Sequence, residues 1–271
     1  MEMTYGIAVQ RLSESNKSRN PCSRSKLSKV VCYMNLLLII IFLLSLSGCG
    51  SSRIFHADFE LDAVGALPNA NPPTEPTGDT IWLATREFGG GDHGHAVSII
   101  SDGAISGKSL RYSNTNIPAL VREIRFYSTE ISTNNNVYWA IWKGRLENLS
   151  ADSSPLEIHF GNLTLGTAAF KIRNGELFLR RGGSEQGFVA IGRISQVKNH
   201  QVVIQVDYAN RVFDFTLEQE NGRLEAEGIP LSPGSPSFRE DRLDIQVRFS
   251  GDNHHSSASY VMDDIEISQS R

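Results

Sequence analysis

The sequence predicts an all-β fold for residues 54–271, a sandwich of two antiparallel sheets. Short segments rich in β-branched and aromatic residues recur along this region, with turn residues between them. No stretch of ten or more residues shows the 3.6-residue apolar period of an amphipathic helix. A chain with many strands and no helices buries its apolar side chains between two packed sheets.

The strands are predicted one by one from these segments and the turn residues that bound them. In chain order they cover residues 97–100, 109–112, 121–127, 137–142, 156–160, 169–173, 176–180, 202–208, 211–217, 243–249 and 259–267. The proline-rich residues 68–76 and the glycine-rich residues 89–95 are predicted to be loops. Asn174-Gly175 predicts the clearest hairpin of the chain, because this dipeptide favours a type I′ turn.

Residues 1–48 are predicted to be a signal peptide. Apolar residues fill positions 36–44 after Lys26 and Lys29, and the run is shorter than the about 20 residues of a membrane-spanning helix. The residues before Lys26 are more than an n-region needs, which fits an overlong gene start. An uncleaved N-terminal anchor helix is the alternative. The sequence LSGC at residues 46–49 closely resembles the lipobox of bacterial lipoproteins.

The lipobox resemblance implies cleavage before Cys49, a diacylglyceryl group on its sulfur and usually a third acyl chain, such as palmitate, on its new amino group. Such chains anchor a protein firmly, since each buried methylene contributes about 0.8 kcal/mol. Residues 49–53 are then the lipidated cysteine and a short tether, and residues 54–271 the folded domain. Gly50 in place of aspartate implies sorting to the outer membrane of a bacterium, on its periplasmic or surface face.

Cysteine content and charge restrict the disulfides and the partner classes that we expect. The cysteines are Cys22, Cys32 and Cys49, so no disulfide can form within the part after Cys49. Without residues 1–48 the chain carries 20 basic and 28 acidic residues, a net charge of −8. This balance argues against nucleic acid or anionic lipid as the main partner.

Four segments point to one family of folds. They read ADFE at 57–60 with VG at 64–65, GKSLR at 107–111, NHQVVIQVDY at 199–208 and YVMDDIEI at 260–267. In this order they resemble the concanavalin A-like lectin/glucanase jelly rolls, and the third resembles the laminin-G-like members. The resemblance implies a two-sheet antiparallel jelly-roll sandwich over nearly the whole part after Cys49.

The same resemblance implies a structural calcium ion. In many such domains acidic residues of the adjacent first and last strands hold Ca²⁺, which prefers oxygen ligands. Here these residues are Asp58 or Glu60 together with Asp263 or Asp264. Solvated acidic residues on edge strands are the alternative interpretation.

Alternation in the strands predicts a charged sheet face. In residues 156–160 the apolar side chains alternate with Glu157 and His159. If the strands concerned are neighbours, one face carries Glu123, Arg125, Glu157, His159, Lys171 and Arg173. The alternative is an ordinary solvated face, where alternating charge is expected.

Two of these strands partly resemble jelly-roll polysaccharide lyases, which carry R-x-E-x-R on one strand and Q-x-H on the next. Glu123-Ile124-Arg125 lacks the leading arginine, and Glu157-Ile158-His159 has glutamate in place of glutamine. The resemblance implies Glu123, Arg125, His159 and Lys171 as the catalytic set for a uronate polymer. A cation then stabilises the C5 carbanion while His159 or a tyrosine removes the proton.

Aromatic residues of one strand are candidates for stacking on sugar rings. Tyr138 and Trp142 share a face, and Trp139 lies on the other with Val137 and Ile141. If Trp139 fills the core, Tyr138 and Trp142 are available to a ligand. The alternative is that the tryptophans simply fill the core of the sandwich.

Other sites find little support in the sequence. The loop residues His93, His95, His254 and His255 could ligate zinc, but a site needs three or four ligands with supporting residues, and solvated loop histidines are the simpler interpretation. There is no G-x-S-x-G elbow for Ser-His-Asp catalysis and no E-x-D-x-x-E run of the laminarinase type.

The sequence therefore predicts a lipid-anchored protein of the cell envelope that recognises a glycan or another envelope component without catalysis. The ligand-binding set is Tyr138, Trp142, Arg125, His159, Lys171 and Arg173. A lyase acting on an acidic polysaccharide is the first alternative, and a scaffold that binds a partner protein is the second.

Overall fold

Two antiparallel sheets account for the strands that the structure describes. The structure is a computed structural model and describes residues 51–66, 68, 79–85, 97–102, 105, 107–113, 121–132, 135–148, 155–182, 187–234, 238–249 and 258–270. The strands are β1 (Ser51–Ala57), β2 (Asp79–Thr85), β3 (Val97–Ser101), β4 (Lys108–Ser113), β5 (Val121–Ser128), β6 (Val137–Glu147), β7 (Leu156–Asn162), β8 (Gly166–Arg173), β9 (Glu176–Arg180), β10 (Phe188–Arg193), β11 (Asn199–Asp207), β12 (Val212–Gln219), β13 (Gly222–Pro230), β14 (Leu243–Phe249) and β15 (Ser259–Ser270). The predicted all-β, two-sheet fold class is confirmed.

The last strand, β15, lies near the middle of the eight-stranded sheet. Seven strands of this sheet follow the order β13-β12-β11-β6-β15-β4-β3, and the eighth, β1, pairs with β15. One edge of β15 pairs with β6 along most of its length. The other edge pairs first with β4 and then, from Ile265 to Ser270, with β1. The first and last strands are therefore adjacent, as the jelly-roll resemblance implies.

The seven-stranded sheet has the order β10-β9-β8-β7-β14-β5-β2. Strand β14 lies between β7 and β5 in this sheet, although both of these strands are distant from it in the sequence. This insertion determines which charged side chains become neighbours.

Aromatic rings from both sheets meet in the core. The indole of Trp142 on β6 stacks on Phe170 of β8, with ring centroids 6.1 Å apart, and Phe170 also contacts Phe215 of β12 at 5.1 Å. Phe55 of β1 contacts Phe126 of β5 edge to face at 6.2 Å. Such pairs contribute about 1 kcal/mol each beyond the burial of their area, so they help to hold the two sheets together.

The predicted hairpin at Asn174-Gly175 is confirmed. Both residues have positive φ, 50° and 73°, as a type I′ turn requires, and Arg173 pairs with Glu176 across the turn. The predicted pair of strands around Ala209-Asn210 is also present, as β11 and β12.

The structure differs from the predicted elements mainly at sheet edges. Strands β2, β10 and β13 were not predicted, and all three lie at an edge of their sheet. The side chains of β10 and β13 are largely half-buried or exposed, so these strands lack the apolar alternation of central strands. Strand β1 begins at Ser51, inside the predicted tether, because Ser270 supplies a partner there.

The predicted signal peptide, the lipobox and Cys49 lie outside the described residues, as do His93, His95, His254 and His255. None of the described segments forms a helix with the length and apolar character that a membrane crossing needs.

Candidate functional site

The outer face of the seven-stranded sheet gathers most of the predicted site residues. We call this face the polar face, and it is opposite to the face that packs on the eight-stranded sheet. Its side chains are Glu123 and Arg125 on β5, Gln246 and Arg248 on β14, Glu157 and His159 on β7, Lys171 on β8, Phe178 and Arg180 on β9, and Phe188 on β10.

Strand β14 supplies the residues that the sequence interpretation missed. Gln246 lies opposite both Arg125 and His159, and Arg248 lies opposite both Glu123 and Glu157. The predicted neighbours on β5 and β7 are thus one strand apart. The alternation in residues 243–249, apolar at every other position, is the signal that could have placed Gln246 and Arg248 on a polar face.

Glu123 is held by two partners on the polar face. The Nε of Arg125 donates to Glu123 Oε1 at 2.8 Å, and the amide of Gln246 donates to Oε2. Arg125 is 3 % exposed, and its Nη1 also lies 3.6 Å from the carboxylate of Asp244. The guanidinium orientation is therefore determined by two carboxylates, and the donor and acceptor positions around it are preorganised.

Glu157 pairs with Arg248 and not with Arg125. Arg248 donates to Glu157 Oε2 from Nε at 3.1 Å and from Nη2 at 2.7 Å. The side chain of Arg248 is 41 % exposed, while that of Glu157 is 11 % exposed. This pair neutralises the glutamate that stands where the lyase resemblance has glutamine.

His159 is buried as a neutral imidazole. The residue is 5 % exposed, and neither ring nitrogen has a hydrogen-bond partner among the described residues. Burial lowers the pKa of His159, and the charges of Arg248 and Arg180 lower it further, against the opposing effect of Glu157. The Nε2 atom is 3.7 Å from Glu157 Oε2, which is too long for a hydrogen bond. An imidazole in this state can accept a proton or a hydrogen bond.

Phe238 covers the deepest part of the polar face. Its ring centroid is 6.4 Å from the ring of His159 and 5.6 Å from the guanidinium carbon of Arg125. Phe238, Arg125 and His159 are all buried, whereas the side chain of Arg248 is 41 % exposed.

Asp244 lies at one end of the polar face, fully buried between two arginines. The Nε of Arg242 is 2.8 Å from Asp244 Oδ1, and Arg125 stands on the other side. Burial raises the pKa of Asp244, while the two arginines act in the opposite direction. The guanidinium of Arg242 in turn stacks on Tyr127, 4.0 Å from the ring centroid.

The other end of the polar face is aromatic and cationic. Phe178 lies opposite Lys171, and Phe188 lies opposite Arg180. The Nζ of Lys171 is 4.1 Å from the centroid of Phe188. The predicted site residue Arg173 is exposed at the end of β8, opposite Glu176.

The stacking role predicted for Tyr138 and Trp142 is wrong. Both residues are 0 % exposed, because their face of β6 is the core face. Their polar atoms are also used, since Tyr138 donates to Ser132 O at 2.9 Å and Trp142 Nε1 donates to Tyr260 Oη at 2.9 Å. Trp139 is the half-buried residue on the outer face, where its indole donates to Gln205 at 3.0 Å.

Two of the four acidic residues expected to bind calcium, Glu60 and Asp264, contact lysines. Glu60 accepts a hydrogen bond from the backbone N–H of Lys108 at 2.9 Å, and Asp264 pairs with the ammonium of Lys143 at 2.5 Å. In the described part of the chain no three His, Cys, Asp or Glu side chains are grouped as a metal-ligand set. The calcium ion held by Asp58 or Glu60 together with Asp263 or Asp264 stays a prediction.

Comparisons with known proteins bear on the fold. No protein family and no curated protein matches the sequence. Similar solved structures include the catalytic domain of a glycoside hydrolase family 131 protein from Coprinopsis cinerea, with 10% identity, a TM-score of 0.50, and coverage of 79% of this chain and 93% of that chain. A sialidase (11% identity, TM-score 0.47) and the binding domain of Paraclostridial Mosquitocidal Protein 1 (12%, 0.47) each align with 80% of this chain. This chain spans only 18% and 48% of those two proteins.

At this level of identity the likeness shows the fold alone. The family 131 domain aligns over nearly its whole length, so the two-sheet architecture described above is that of a jelly-roll sandwich. The site must be interpreted from the residues of this chain.

Proposed function

We propose that this chain is a lipid-anchored envelope protein that binds a glycan on the polar face of its seven-stranded sheet. The observation that carries the proposal is a cluster of oriented cations on this face. Arg248 is 41 % exposed and paired with Glu157, and Arg125, paired with Glu123, lies buried beside Gln246 and His159. The fold shared with a glycoside hydrolase domain supports a glycan as the ligand class.

The chemistry of this cluster suits sugar hydroxyl groups. Charged side chains make charge-assisted hydrogen bonds to hydroxyl groups, and such bonds are about twice as strong as neutral ones. Because Glu123 and Glu157 already orient Arg125 and Arg248, binding costs little side-chain entropy. Phe178 and Phe188 replace Tyr138 and Trp142 as the aromatic surface available to a sugar ring.

A glycan panel tests the proposal. The full chain in detergent micelles is run through native gels that contain alginate, pectate, hyaluronan, heparin or a neutral glucan. We expect retardation by at least one glycan, and we expect Arg248→Ala to weaken it. Arg223→Ala is the matched control, because Arg223 is an exposed arginine of the other sheet. Equal migration in every gel would contradict the proposal.

A lyase acting on an acidic polysaccharide is the second candidate, and the state of His159 favours it. In such a reaction the imidazole takes the C5 proton of a uronate, the freed electron pair forms the C4–C5 double bond, and the C4–O bond breaks. The leaving oxygen is protonated by an acid. Arg125 and Lys171 would stabilise the carboxylate charge as it develops.

Absorbance of unsaturated uronate distinguishes the two candidates. The binding proposal predicts no growth of absorbance when the full chain is incubated with the four acidic polymers. Growth that disappears in His159→Ala would replace the binding proposal by the lyase. Because Phe238 covers Arg125 and His159, a scaffold with a protein partner is the third candidate, and migration unchanged by every glycan would favour it.

The membrane anchor is part of the proposal. We infer lipidation of Cys49 and residence at the outer membrane, on its periplasmic or surface face. Since β1 begins at Ser51, the tether is short and holds the domain at the membrane surface. Expression in bacteria with labelled palmitate tests this, with label expected in the wild type and lost in Cys49→Ser. Label that persists in Cys49→Ser would contradict it.

A further inference from the structure

Two cations, Lys171 and Arg180, lie at the β8–β10 end of the polar face. Within the described residues the structure records no ion pair for Lys171 or Arg180, and the Nε of Arg180 is buried without a hydrogen-bond partner. By contrast, Arg125, Arg242 and Arg248 each pair with a carboxylate. Among the described residues, the positive charge of Lys171 and Arg180 is therefore not balanced by an ion pair.

Two half-buried phenylalanines surround these cations. Phe178 lies directly across from Lys171 on the neighbouring strand, and Phe188 directly across from Arg180. Lys171 Nζ stands 4.1 Å from the centroid of Phe188. A cation held against a ring face beside half-buried aromatic side chains can bind a ring that carries a negative charge.

This end is continuous with the row that contains His159. On β8, Ala169 lies directly opposite His159. The charge of Arg180 contributes to the lowered pKa of His159, which is consistent with their proximity. In the neighbouring row, Arg248, Glu157, Lys171 and Phe178 follow one another across the sheet, so a chain of sugars could extend from Arg248 to the two phenylalanines.

We propose that Lys171, Arg180, Phe178 and Phe188 form a subsite for an anionic sugar ring, whose carboxylate or sulfate pairs with the two cations while the ring lies on the phenylalanines. This inference rests on the proposed glycan-binding function and assigns its ligand class. An acidic protein with net charge −8 after residue 48 repels polyanions elsewhere, so this local excess of positive charge directs them to one end of the sheet.

The test compares anionic and neutral polymers on the full chain in detergent micelles. Dissociation constants are obtained from native gels that contain polygalacturonate, heparin or neutral dextran at several concentrations. We expect the wild type to bind at least one of the two anionic polymers about tenfold more tightly than dextran, because hydrogen bonds to charged groups are the strong ones. Retention by polygalacturonate alone identifies the carboxylate, and retention by heparin alone identifies the sulfate.

Variants locate the subsite. Lys171→Met and Arg180→Gln each are expected to weaken anionic binding about tenfold and to leave dextran migration unchanged. Lys171→Arg keeps the charge and is expected to retain binding. Lys198→Met is the matched control, since Lys198 is an exposed lysine paired with Glu220 on the other sheet. Thermal denaturation of each variant confirms that it is folded.

The outcomes separate this inference from the proposed function. Wild-type binding to dextran as strong as to both anionic polymers overturns the subsite and leaves glycan binding in place. Equal losses in Lys171→Met and Lys198→Met overturn the subsite as well, because the effect is then general electrostatics. A wild type that binds none of the polymers overturns both the subsite and the proposed glycan-binding function.

Discussion

At the scale of single residues, the polar face depends on buried charges that are neutralised within the protein. Asp244 is the most buried of these, and it lies between Arg125 and Arg242. A buried charge without its partner is costly, because the protein interior solvates a charge less well than water does. The orientation of Arg125 therefore depends on Asp244 as well as on Glu123.

Removal of Asp244 should destabilise the protein strongly. In Asp244→Ala the two arginines lose a shared buried partner, and we expect the free energy of unfolding to fall by about 3 kcal/mol. Urea denaturation measures this change. Glu220→Ala is the control, because Glu220 is an exposed partner of Lys198 and should have no measurable effect. Equal effects of the two substitutions would contradict the role of Asp244.

A second buried residue links stability to pH. His200 is buried beside Tyr260, with Nε2 and the tyrosine Oη 2.9 Å apart, and burial lowers the pKa of His200 to about 4. Between about pH 6.5 and pH 4 the unfolded chain therefore binds a proton that the folded protein does not. Stability should decrease as the pH falls through this window, and the lowered pKa of His159 acts in the same direction.

Urea denaturation at two pH values checks this expectation. From about pH 7.5 to about pH 5, His200 alone should reduce the free energy of unfolding by about 2 kcal/mol. His200→Gln removes this contribution and should show a smaller pH dependence. Asp244 has a raised pKa and therefore acts in the opposite direction, because the folded protein binds its proton more tightly than the unfolded chain does. A wild type that becomes more stable toward pH 5 would contradict the assignment.

At the scale of secondary-structure elements, alternation predicted which residues share a face but not always which face is core. In β7 the apolar side chains lie on one side only, so Glu157 and His159 were placed correctly on the polar face. In β6 large apolar residues occupy both sides, so the sequence pattern cannot show whether Trp139 or Trp142 lies in the core. The tertiary partners decide, since Tyr260 and Phe170 accommodate Trp142 inside.

Local turn chemistry was easier to predict, and the β8–β9 hairpin offers a test. Gly175 has φ of 73°, and a Cβ at this position would have its nearest neighbour, Ile194 O, at 3.7 Å. A methyl group therefore has space at this position, but the positive φ is strained for alanine. We expect Gly175→Ala to reduce the free energy of unfolding by about 1 kcal/mol in urea denaturation. A neutral or stabilising effect would show that the turn relaxes.

At the scale of the whole molecule, the order of strands in a sheet is what the sequence could not supply. The two-sheet class follows from the number of β-rich segments, and the faces of β5, β7 and β8 follow from alternation. The position of β14 between β5 and β7 depends on contacts between distant segments. For this reason Gln246 and Arg248 entered the site only with the structure, together with Phe178, Arg180 and Phe188.

The central claim is that a glycan binds on the polar face, and hydrogen exchange locates it directly. The full chain in detergent is compared with and without the glycan that retards it, and backbone exchange is followed by mass spectrometry. We predict slower exchange in β7, β8, β9 and β14 and no change in β6, β11 and β12, because only the first group borders the polar face. Slower exchange confined to β6, β11 and β12 would contradict the account.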